Sequence, residues 1–137
     1  MKKLTIDGND LWRLNTAHNI LTGQLQGIEP IRLGGKVALW AVRNKSIVKL
    51  YFSDLEAARN ALIEQHFLPD ENGKKQYDDD GRLIVRDQEV FDREIEEMFA
   101  QTYTFELHPA TEEMIDSIEP HALLAIALDI LIDIGTL

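Results

Sequence analysis

Leu11, Leu14, His18, Leu21 and Leu25 recur at intervals of three and four residues, the spacing that lines one face of an α-helix. The pattern predicts a helix from about Asp10 to Leu25, with Asp7-Gly8-Asn9-Asp10 supplying turn formers and an N-cap, and with Gly27 and Pro30 closing it. Residues 3–6 ahead of it read as a short strand. After Gly34-Gly35 the spacing continues through Val37, Ala41, Asn44, Val48, Tyr51, Leu55, Ala58 and Leu62, a heptad-like seam with no further glycine or proline until Pro69. A helix of that span is about 50 Å long at 1.5 Å per residue. Such a rod packs along a neighbour, in the same chain or in another. Asn44 puts an amide into the seam, a device that fixes register and partner number at some cost in stability. This makes Asn44 a candidate interaction residue, and Asn44→Leu is expected to raise stability while loosening partner choice.

Beyond Pro69 the pattern changes. Asp70-Glu71-Asn72-Gly73 and Asp78-Asp79-Asp80-Gly81 are turn formers around a polar stretch, and Leu83-Ile84-Val85 reads as a strand. Asp87 caps a helix carrying Val90, Phe91, Ile95, Met98 and Phe99, after which Tyr103, Phe105 and Leu107 alternate as a second strand. The two strands flank that helix and are expected to pair. Thr111 caps a short helical turn through Met114 and Ile115, and Pro120 fits the first turn of a last helix running to about Ile134. In that last helix only His121, Asp129 and Asp133 are polar, so apolar side chains cover nearly the whole circumference. A helix apolar all round is buried on most sides, and a small domain has few elements to surround it. Leu124, Leu128 and Leu131 are therefore candidate contacts between subunits. The elements add up to a mainly α member of the α+β class: a helical bundle with one long helix and a small two- or three-stranded sheet, in a single domain over 1–137.

The 137 residues, 45% apolar and 28% charged, are enough for one hydrophobic core without a metal or a disulfide. Cysteine is absent, which excludes disulfides, thiolate catalysis and Cys-based metal sites. The first residues lack the apolar stretch of a signal peptide and no window approaches a membrane span, so the expected location is the cytoplasm. The 24 acidic against 14 basic residues give a net charge of −10, which repels phosphate backbones and disfavours direct nucleic-acid binding. Arg32, Lys36, Arg43, Lys45 and Lys49 form a local basic cluster, but those on the long helix do not repeat on one face and read as solvated surface.

No catalytic, cofactor or metal site emerges. Gln76-Tyr77-Asp78-Asp79-Asp80-Gly81 approaches a calcium loop, with Gly81 at the turn. Its first ligand would be the neutral Gln76 and its last the short Asp87. Gly34-Gly35-Lys36 resembles the end of a phosphate-binding loop, but Pro30 stands where the first glycine belongs and Val37 where the magnesium-binding hydroxyl belongs. His18, His66, His108 and His121 lack the i, i+4 pairing of a metal site, and His18 on the apolar stripe reads as a hydrogen-bonded core histidine. Ser46, Ser53 and Ser117 lack a glycine-rich elbow.

The order of parts resembles a group of small uncharacterised phage and prophage proteins. It is carried by a long basic helix ending in Ala58-Arg59-Asn60-Ala61-Leu62-Ile63, then Asp70-Glu71-Asn72-Gly73, a strand, a Glu-rich helix from Phe91 to Met98, and Thr102 to Leu107. It covers about Val37 to Ile134. The resemblance implies a viral gene product without known enzymatic activity and assigns no functional residues. Sequence therefore points to a non-enzymatic helical interaction protein, an assembly or structural accessory factor that forms a homo-oligomer or meets a phage or host protein. The alternative is an acidic inhibitor whose carboxylates stand in for phosphates on a host nucleic-acid-binding or defence protein.

Overall fold

A computed structural model describes residues 1–24 and 32–118. In chain order these form β1 (Lys2–Asp7), α1 (Gly8–Leu21), α2 (Gly35–His66), α3 (Gln88–Ala100), β2 (Thr102–Leu107) and the short α4 (Glu112–Asp116). The mainly helical class with one long helix and a small antiparallel sheet is the architecture seen. The predicted last helix, with Leu124, Leu128 and Leu131, lies outside the described residues.

α1 begins where Asp7 turns from strand to cap: its carboxylate accepts from the Asp10 amide at 2.9 Å, satisfying one of the unpaired donors of the first turn. The helix stops earlier than its apolar stripe suggests. Gly23 takes a φ of 70° and donates to the Ile20 carbonyl, while Gln24 donates to Asn19. That left-handed glycine ends the helix at Leu21, so Gly23 is the terminator in place of Gly27. α2 ends at His66, because Phe67 is extended and bridges to Val85, and Leu68 precedes a proline.

β1 and β2 pair antiparallel, with Leu4 opposite Phe105 and Ile6 opposite Tyr103. Alternation turns Ile6, Phe105 and Leu107 into the core and leaves Lys3 opposite Glu106 and Thr5 opposite Thr104 outside. The threonine hydroxyls meet at 3.0 Å. This corrects the expected partner of β2. Leu83-Ile84-Val85 does not join the sheet, because two tight turns fold it back onto its own neighbourhood, where it makes only isolated bridges, Tyr77 to Leu83 and Phe67 to Val85.

The core lies between α1, the inner face of α2 and the sheet. Leu11, Leu14, Ala17 and Leu21 meet Val37, Ala41, Val48 and Leu55, with Phe105 and Leu107 closing one side. Most of the seam read from sequence is thus an intrachain contact; Ala58 alone of its residues is exposed. Around this core Trp12 packs edge-on against Phe52 and Phe99, and the Arg59 guanidinium lies over its ring at 5.5 Å. Tyr51 stacks on Phe105. α3 crosses the C-terminal half of α2, capped by Asp87 and tied to it by His66, whose Nε2 meets a Glu94 carboxylate oxygen at 2.5 Å.

Candidate interaction surface

Several of the chemical candidates carry structural roles. Asp70 and Asp78 head two turns of the same design: each carboxylate accepts from the amides two and four residues on, at 2.8–3.0 Å, with Gly73 and Gly81 at φ 76° and 78°. The Asp78 oxygen Oδ1 that a calcium loop would turn inward is occupied by the Asp80 and Arg82 amides. Among the described residues no three His, Asp or Glu side chains gather as a metal site. Gly34 and Gly35 open α2 with no side-chain cap.

His18 is fully buried. Its Nδ1 pairs with the Leu14 carbonyl at 2.8 Å, and Nε2 has no hydrogen-bond partner among the described residues. Burial drives its pKa down from 6.5 to about 4, against the pull of the Leu14 carbonyl and with a smaller push from the Lys45 charge. It is a neutral core residue.

Asn44 is also fully buried, but its amide is used within the chain. Nδ2 donates to the His108 carbonyl at 3.0 Å and Oδ1 accepts from the His108 amide at 2.8 Å, while Trp40 Nε1 donates to the same carbonyl at 2.7 Å. Both hydrogen-bonding groups of Asn44 thus fasten the segment after β2 onto α2. The expected gain on Asn44→Leu is reversed, since the leucine would orphan the backbone N–H of the half-buried His108.

The opposite face of α2 carries the feature that the sequence reading passed over. Leu39, Val42 and Leu50 are 50%, 53% and 70% exposed, on the side away from the buried Val37, Ala41, Val48 and Leu55. Ser46, Ser53, Ala57 and Ala61 are exposed as well, and at about 100° per residue all seven fall within an arc of roughly 100°. The serines are polar in name only, because each hydroxyl donates into its own helix, Ser46 to Val42 and Ser53 to Lys49. Between Ser46 and Ala57 the stripe is therefore cheap to remove from water, whereas the exposed Arg43, Asn60 and Glu64 fall in the same arc nearer its ends. Leu39, Val42 and Leu50 were the available signal; small residues between them and the stronger inner seam obscured it.

Charge along this face is divided. From Gly35 to Ser53 the helix carries Lys36, Arg43, Lys45 and Lys49 and no acid; Asp54, Glu56 and Glu64 follow, with Arg59 withdrawn over Trp12. Among the described residues Arg43, Lys45, Lys49, Asp54 and Glu56 form no ion pair, whereas Glu64 is held by Lys75. Partial burial, and after it the neighbouring Lys49, hold Lys45 below the usual lysine range. Beside the C-terminal half, a groove lined by Ala58, Ala61, Leu62 and Met98 is bordered by Glu94 and Glu97 of α3. Beside the N-terminal half, a second depression is bordered by Lys36 and Arg43.

Compared with protein-family models, with curated proteins and with solved structures, the chain matches none. Among the described residues no helix is long and apolar enough to cross a membrane.

Proposed function

We propose that this chain is a non-enzymatic interaction protein that works by self-association, a phage- or prophage-encoded assembly or structural accessory factor in the host cytoplasm. The observation that supports the reading is the exposed aliphatic stripe on the outer face of α2. Three large aliphatic side chains sit exposed on it, and covering each contributes about 1.5–3 kcal/mol. A monomer forgoes that stabilisation, and association recovers it. Leu124, Leu128 and Leu131 are proposed as a further part of the contact.

Sedimentation velocity of the purified chain at micromolar concentration, in 0.1 and 0.5 M salt, tests it. The reading predicts an oligomer at both salt concentrations. A second reading draws on the acidic turn tips and the outer face of α3, where Glu71, Asp79, Asp80, Asp92 and Glu96 are exposed and none is ion-paired among the described residues. On that reading the chain occupies a cationic nucleic-acid site on another protein. A monomer that binds such a protein at low salt only would favour it, because screening at high salt removes attraction between exposed charges.

A further inference from the structure

We propose that a second copy of this chain lies antiparallel along the outer face of α2, the two helices crossing at Leu50; this rests on the self-association reading above. Leu50 is the most exposed of the large hydrophobic side chains on the face and stands at the middle of Gly35–His66. A two-fold axis there places each position opposite the one equally far beyond Leu50 in the partner. Leu39 then meets Ala61 and Val42 meets Ala57, so the large side chains of one half face the small ones of the other. Leu50 meets its own copy.

Charge selects the direction. In an antiparallel pair like flanks face each other with their ends exchanged. On one flank this sets Lys45 against the partner's Glu56, and on the other Arg43 against the partner's Asp54. Each pair occurs twice, and none of the four groups has an ion-pair partner among the described residues. Farther out, the depression bordered by Lys36 and Arg43 meets the flank where Glu94 and Glu97 border the α2–α3 groove. A parallel pair would instead level Arg43 with Lys45 and Lys49, and Asp54 with Glu56. That arrangement repels at both ends.

The chain has no cysteine, so introduced thiols report the geometry unambiguously, and Leu39, Leu50 and Ala61 are exposed. Oxidation of Leu50→Cys is expected to give a covalent dimer. Leu39→Cys mixed with a mass-tagged Ala61→Cys is expected to give mainly the mixed dimer, with little cross-linking of either variant alone. Lys45→Glu is expected to weaken the dimer about tenfold, with recovery in Lys45→Glu/Glu56→Lys. An oligomer that cross-links Leu39→Cys to itself, or that forms none of these bonds, would overturn the antiparallel contact and leave self-association standing. A monomer at high micromolar concentration overturns both readings. An internal bond in Leu50→Cys/Leu128→Cys would show the chain's own last segment on this face, which also overturns the contact.

Discussion

Burial of the His18 imidazole couples the stability of the whole fold to pH. The folded chain keeps it neutral down to about pH 4, whereas the unfolded chain protonates it near 6.5. Its contribution is therefore complete above pH 6.5 and is lost as pH falls toward 4, at about 1.4 kcal/mol per pH unit and about 3 kcal/mol in all. Urea titrations between pH 7.5 and 5 should show this slope, and His18→Leu should flatten it while losing about 1 kcal/mol at pH 7.5 with the Leu14 hydrogen bond. At Asn44 the expected effect is larger at neutral pH. Asn44→Leu removes both bonds to His108 and should cost about 2–4 kcal/mol in the same titration. The burial of both residues was legible in the sequence, from their place on apolar stripes. Their partners were not: Leu14 is one turn from His18, but His108 lies 64 positions from Asn44, and no periodicity carries information over that distance.

The ends of elements follow local chemistry, and most were readable as such. Asp7, Asp87 and Thr111 all cap helices as their residue types suggest, the Thr111 hydroxyl accepting from the Met114 amide at 3.2 Å. The repeated turn headed by Asp70 and Asp78 was readable as a turn, and one oxygen of each carboxylate is engaged by the turn's own amides. Millimolar calcium should leave the melting temperature unchanged; a rise of several degrees that magnesium fails to reproduce would contradict this account of the turns. Gly8 carries a requirement that sequence could not reveal. A Cβ at this position would stand 2.9 Å from the Phe99 Cα and carbonyl oxygen, so α1 and α3 meet there backbone to backbone. Gly8→Ala should cost about 1–3 kcal/mol by forcing those helices apart, measurable as a lower urea midpoint, although alanine ordinarily favours a helix over glycine.

At the scale of the whole molecule, the class of fold was legible from the two periodicities, while the pairing of the sheet was not. β1 and β2 are separated by nearly the full described chain, and Leu83-Ile84-Val85 offered a nearer strand of suitable composition. The turns around Gly73 and Gly81 withdraw that segment from competition, and the alternation of Leu4 and Ile6 supplies a matching partner for Phe105 and Tyr103. The same separation of scales affects α2. Its inner seam was readable because it is built of large residues, and its outer stripe was missed because serine and alanine carry little hydrophobic weight until the helix is seen with that side bare. Multi-angle light scattering of the wild-type chain and of Leu50→Glu, with far-ultraviolet circular dichroism to confirm that both are folded, tests the proposal of self-association through this face most directly. The wild type should have at least twice the mass of one chain at micromolar concentration, and Leu50→Glu, which sets two carboxylates against each other at the crossing point, should be a folded monomer. A wild-type chain that stays monomeric at high micromolar concentration, or a Leu50→Glu variant that keeps the wild-type mass, would contradict the account.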